Sequence, residues 1–81
     1  MEAIRSWQRL HINGVMAVVD ELRLETGGIL YAAGALSADD VGELDTKPRN
    51  LREAQTSADA QARRDGHDCR DGCDLWVEVP P

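Results

Sequence analysis

His67, Cys69 and Cys73 stand within seven residues of one another, in the run Gly66-His67-Asp68-Cys69-Arg70-Asp71-Gly72-Cys73-Asp74. Zinc accepts an imidazole and two thiolates together, and the flanking glycines let a short loop turn around an ion. Three donors leave a tetrahedral site one short. The fourth is sought in His11, in one of the neighbouring aspartates, or in a second copy of the chain. Two alternatives stand beside metal binding: a disulfide between Cys69 and Cys73, and two free thiols in a polar connection. Taken alone, the sequence favours no cofactor, with structural zinc as the alternative. The aspartates around the cysteines disfavour a thiolate by like charge, which argues against a reactive nucleophile.

Catalysis finds no better constellation. Ser6, Ser37 and Ser57 lie outside any glycine-flanked nucleophile turn, no glycine-rich phosphate loop with a lysine is present, and the two histidines belong to different elements. The adjacent acids Asp20-Glu21 and Asp39-Asp40 read as solvated charge rather than as acid/base couples. The expectation is a protein that is not an enzyme.

A net charge of -6 argues against direct binding to nucleic acid, where affinity comes from clustered Lys and Arg releasing counterions. A basic protein partner fits better. The N-terminus opens with an acid and has no apolar run behind a basic stretch, so it does not read as a signal peptide. No segment approaches the roughly 20 apolar residues of a membrane span. The chain therefore reads as cytoplasmic, a compartment in which cysteines are reduced or metal-bound more often than bridged.

The charges are segregated along the chain. Residues 36 to 45 carry Asp39, Asp40, Glu43 and Asp45 without a base, residues 46 to 64 set five bases against Glu53 and Asp59, and residues 65 to 78 return Asp65, Asp68, Asp71, Asp74 and Glu78 against Arg70. The two acidic segments are candidates for a face that meets a basic partner. Trp76 is a candidate aromatic anchor for the same contact, although core packing is the ordinary role for both Trp76 and Trp7.

The elements that must hold these residues form one domain, residues 1 to 81. The chain has no Phe, one Tyr and two Trp, so alanine supplies much of its 42% apolar content and the core is thin. At this size a metal, a crosslink or a partner surface adds materially to stability. Asn13-Gly14 is a hairpin-turn signal. Beyond it, residues 15 to 25 divide between a helical spacing of Val15, Val18, Val19 and Leu22 and a strand alternation at Leu22 and Leu24. The β-branched valines favour the strand. Thr26-Gly27-Gly28 breaks it, and Ile29 to Ala35 reads as a third strand. After a loop over 36 to 49, Asn50 caps a helix running to about Arg64, with Glu53 three residues on and one narrow face of Leu51, Ala54, Ala58 and Ala62. Arg63 and Arg64 are placed in its last turn, and Gly66 stops it. Asp74 to Val79 reads as a final strand. The expected fold is α+β: an antiparallel β-meander, one helix packed on one face, and a closing strand, in the order βββαβ.

In size, charge and compactness the whole chain resembles the small acidic inhibitors encoded by phages and mobile elements, of which anti-CRISPR proteins are the familiar case. The resemblance rests on no motif, so it assigns no residue a role. It implies a non-enzymatic binding protein that occludes a basic, nucleic-acid-binding surface of a partner such as a CRISPR effector. The rival reading is a small zinc-stabilised structural or subunit domain built on His67, Cys69 and Cys73.

Overall fold

The structure is a computed structural model and describes residues 1 to 38 and 42 to 81. Asp39 and Asp40, the first two acids of the proposed acidic loop, lie outside the described residues. Three antiparallel strands follow one another, β1 (Glu2–Leu10), β2 (Met16–Arg23) and β3 (Ile29–Leu36). A helix, α1 (Leu51–Ala62), crosses one face of the sheet, and β4 (Val77–Val79) then pairs antiparallel with β1. The sheet order is β3-β2-β1-β4, so the helix links a strand at one edge to the strand at the other.

Both hairpins close in the same way. His11 N–H donates to Val15 O (2.9 Å) and Gly14 N–H to His11 O (2.9 Å), with Gly14 at φ +83°. Leu24, Gly27 and Gly28 repeat the pattern, with Gly27 at φ +88°. These are three-residue loops, a tight turn followed by one left-handed glycine. The Asn-Gly signal is therefore used with a single positive φ rather than the two of a two-residue turn. Asn13 instead accepts from Val15 N–H through its Oδ1 at 3.1 Å, bracing the turn with its side chain.

Residues 16 to 23 are a strand, which resolves the divided pattern in favour of the β-branched residues. The helix-side face of the sheet presents Trp7, Ala17, Val19, Ala33 and Ala35, with Val15 at its end, all buried. Ala54, Ala58 and Ala62, spaced four apart, form the buried stripe of α1 and let its backbone lie close to β2 and β3. Asn50 caps the helix, its Oδ1 accepting from Glu53 N–H at 2.9 Å. The helix ends at Ala62, two residues short of the expected limit. Arg63 leaves the helical conformation as C-cap, and its Nε donates to His67 O at 2.9 Å. The closing strand is also shorter than the run Asp74 to Val79 suggested. Asp74 N–H still donates to Leu10 O at 2.9 Å, but Leu75 stands 82% exposed and the regular ladder begins only at Val77.

The connection from β3 to α1 is pinned at Asp45. Its backbone exchanges hydrogen bonds with Ala33 on the outer edge of β3, at 2.8 and 2.7 Å. Its carboxylate accepts from Ser57 Oγ on α1 (2.6 Å) and from Lys47 N–H (3.0 Å). These bonds hold the carboxyl below its ordinary range, the Ser57 hydroxyl contributing most. No helix among the described residues is long and apolar enough to cross a membrane.

Candidate metal centre

Three segments far apart in sequence meet at one end of the sheet. The first is the β1–β2 turn, which carries His11 directly after the last residue of β1. Its imidazole is almost completely buried, at 2% exposure, and among the described residues it is, with Val19, one of the largest fully buried side chains. The second is the turn after α1, where Gly66 at φ +78° reverses the chain and delivers His67. The third is one turn of 3-10 helix, Cys69–Asp71, capped by Asp68 and left through Gly72 at φ +139°. Cys73 N–H donates back to Cys69 O at 3.2 Å, which places the two sulfurs on the same side.

Four donor atoms converge there. His11 Nδ1 and His67 Nε2 are 2.9 Å apart, and Cys73 Sγ lies 3.5 Å from the first and 3.3 Å from the second. Cys69 Sγ is 3.7 Å from His11 Nδ1, and all four donors lie within 4.8 Å of one another. Zinc bound at about 2.0 to 2.1 Å by nitrogen and about 2.3 Å by sulfur in a tetrahedron needs donor separations of roughly 3.3 to 3.8 Å. The cluster is close to that size, its two nitrogens somewhat nearer than a tetrahedron sets them and its widest separation within 4.8 Å.

Each histidine is held from behind by a carboxylate. His11 Nε2 is 2.8 Å from Asp59 Oδ1, and His67 Nδ1 is 2.5 Å from Asp65 Oδ1. Asp59, on α1, also accepts from Arg9 at 3.1 Å and from the Trp76 indole N–H at 3.4 Å. A histidine that donates one N–H to a carboxylate presents the lone pair of its other nitrogen. Both inward nitrogens then face each other as acceptors across 2.9 Å, an arrangement that a cation between them relieves.

The sulfurs sit in partly buried surroundings that, without an ion, keep Cys69 a thiol. Ile12 N–H donates to Cys73 Sγ at 3.3 Å. The Cys69 thiol is pushed up first by burial and then by its hydrogen bond to Cys73, with Arg9 opposing. Both cysteines are free and half-buried, so the disulfide alternative is not the arrangement seen.

Of the residues singled out from sequence, His67, Cys69 and Cys73 come together and His11 joins them, one of the three sources proposed for the fourth ligand. The sequence gives no sign of the part played by Asp59 or Asp65, since it does not tell which way a helical aspartate such as Asp59 points or how the turn after α1 aims Asp65. The acids of the proposed partner face divide. Glu43, Asp71 and Asp74 are exposed, whereas Asp45 braces the β3–α1 connection, Asp65 holds His67, and Asp68 accepts from Arg70 N–H at 2.9 Å and pairs with its guanidinium at 2.8 Å. Trp76 is half-buried against the core, with its indole turned to Asp59. Trp7 is buried, with the Arg5 guanidinium 4.8 Å above its ring.

No protein family, curated protein or solved structure matches the chain. What the fold and the site define is a class: a small α+β domain with a His2Cys2 cluster at one end of its sheet.

Proposed function

We propose that this chain is a zinc-stabilised structural domain in which His11, His67, Cys69 and Cys73 hold the ion. The observation that carries the reading is the convergence of four donors from three segments, with a carboxylate behind each imidazole. A proton shared between the two imidazoles would relieve their facing lone pairs, but it would give no reason for both sulfurs to stand beside the same nitrogens. Four protein ligands close the coordination shell, which is the pattern of structural rather than catalytic zinc. Two thiolates neutralise the ion, and Arg9 offsets the carboxylate of Asp59. Bound there, the ion joins the β1–β2 turn to the 65–74 segment, which otherwise rests on a few hydrogen bonds and an alanine-lined core. Binding energy of this kind becomes folding energy.

Metal analysis of the purified chain tests this directly. The expected result is one zinc per chain, a melting temperature lowered by chelator, and a cobalt derivative with the visible bands of a tetrahedral site bearing thiolates. Substoichiometric metal with a melting curve that chelator does not move overturns the reading.

A second reading, occlusion of a basic surface on a partner protein, is supported by the exposure of Glu43, Asp71 and Asp74. Charge reversal at these three positions should slow association with such a partner at low salt and leave the fold intact. Equal association rates for wild type and the reversed variant would remove this reading.

A further inference from the structure

The sheet has its charges and its aliphatic side chains on the unusual sides. The strand pairings put Arg5, Arg9, Glu21, Arg23 and Glu78 on the face that carries the helix. The opposite face presents Leu10, Met16, Val18, Leu22, Leu30 and Leu36, continued by Val77 on β4. A sheet with one solvated face ordinarily alternates apolar inward with polar outward. Here the covered face is lined largely by alanine, while the leucines stand on the side with no helix, Leu10 at 42% and Leu36 at 39% exposure. Leu44, from the loop after β3, lies over Gly34 on this open face and is itself 59% exposed. A groove of about 410 Å³ between Leu10, Met16, Leu75 and Val77 continues the face to the edge at β4.

We propose that this open face is a homodimer interface, packed sheet against sheet on a second copy of the chain. Among the described strand residues of the face, Asp20 is the only ionisable group, and its Oδ1 already accepts from Ser6 Oγ at 2.6 Å. A charged partner would find nothing there to pair with. A second copy brings the same largely aliphatic surface, with Ser6, Gln8 and Asp20 as its polar members, and a two-fold contact is self-complementary by construction. Apart from Asp20, which Ser6 holds within its own sheet, the acids that give the chain its charge of -6 lie off this face of the strands, with Asp74 at the rim of the groove, so like charge in the contact is confined to one pair of aspartates.

The area fits a weak dimer. Four strands about 4.8 Å apart and on average about seven residues long at roughly 3.3 Å each cover about 440 Å² in projection, and more once the relief of the side chains is counted. Ser6, Ala32 and Gly34 on this face are already buried, so joining two such faces removes on the order of 1,000 Å², the size of a dissociable contact. The faces would stand about 10 Å apart, the ordinary spacing of packed sheets. This inference does not rest on the metal centre, whose ligands lie outside the strands.

Light scattering behind size exclusion, run on the purified chain over a range of concentrations, tests it. The wild type should run as a dimer that dissociates on dilution. Val18→Lys, at the middle of the face, should weaken self-association by about 100-fold, since it buries an unpaired charge. Leu36→Lys, nearer the end of its strand and already partly exposed, should weaken it too and guards against a folding defect at Val18. Ala60→Lys, on the exposed side of α1, should leave the dimer unchanged. An unchanged far-ultraviolet spectrum and a cooperative melting transition identify the variants that fold. A wild type that stays monomeric up to about 100 µM, or a dimer lost in Ala60→Lys and kept in folded Leu36→Lys, overturns the proposal.

Discussion

Asp59 Oδ1 stands 2.8 Å from His11 Nε2, which fixes the tautomer of a buried imidazole and aims its Nδ1 at the two cysteines. The same carboxylate receives Arg9 and Trp76, so one helical residue ties β1, the turn after it and the C-terminal segment to α1. Asp59→Asn keeps the volume but loses the charge and the obligatory acceptor. Substitution of such a carboxylate behind a metal-bound histidine weakens metal binding by about 10- to 100-fold. A competition titration against a chromophoric chelator should show that loss while zinc still binds one per chain. Affinity equal to wild type would mean that Asp59 supports the helix contact alone.

Asn13 joins the same turn to the end of the helix. Its Nδ2 donates to Ala62 O at 2.9 Å, one of the carbonyls that the helix leaves unpaired, and its Oδ1 accepts from Val15 N–H at 3.1 Å. Asn13→Ala removes both bonds and a longer one, at 3.4 Å, from Nδ2 to Asp65 Oδ1, at about 1 to 2 kcal/mol in all. Urea unfolding should show most of that loss in the presence and absence of chelator alike, because no metal ligand is itself removed and only the long bond reaches the carboxylate behind His67. A loss confined to the zinc-loaded form would place the role of Asn13 in shaping the metal site.

How much of this could be read from the residues differs by element. The helix was legible because Asn50, Glu53, the alanine spacing and Gly66 agree, and only its C-terminal limit moved, since Arg63 serves as a cap. The meander was legible from Asn13-Gly14 and Thr26-Gly27-Gly28. Which face of β2 is covered was not, because Ala17 and Val19 alternate with Met16 and Val18 and both sets are apolar. Only the position of the helix separates them. His67, Cys69 and Cys73 are neighbours in sequence and declare themselves by spacing. His11 comes from 56 residues away and Asp59 from the far side of the core, so their places depend on the hairpin register and on the rotation of α1.

Two glycines make opposite predictions from the space around them. At Gly34 an added Cβ would come within 2.9 Å of Leu44 Cδ2, but that atom is the end of an exposed, mobile-ended side chain and the backbone there is ordinary strand. At Gly14 nothing lies within 4 Å, yet φ is +83°. Gly34→Ala should therefore change stability by less than about 0.5 kcal/mol, the swing of Leu44 being offset by a less flexible unfolded chain. Gly14→Ala should cost about 1 to 2 kcal/mol, because an L-residue is forced into the left-handed region. Chemical denaturation of both variants checks the contrast. A larger loss at Gly34 would show that Leu44 is held in place more firmly than its exposure implies.

The carboxyls of Asp45, Asp68 and Glu78 give the fold a defined response to acid. Ser57 lowers the first, Arg70 the second and Arg5 the third, in each case chiefly through a hydrogen bond to the ionised form. A group whose folded pKa is depressed contributes stability above its unfolded pKa and loses that contribution as pH falls through the folded value. These contributions should thus be complete near neutral pH and fade below about pH 4, the unfolded carboxylate range. Asp68 and Glu78 are lowered by exposed ion pairs, so salt should weaken their contributions, the Arg5–Glu78 pair most clearly, whereas the neutral Ser57 bond to Asp45 should respond less. Protonation of the metal ligands will also destabilise the chain in acid, and a comparison with Asp45→Asn at matched zinc removes that common part. The urea midpoint of Asp45→Asn should lie below wild type at pH 7 and approach it as the pH drops. A difference that persists undiminished below pH 3 would show that the bond from Ser57 does not depend on the charge of Asp45.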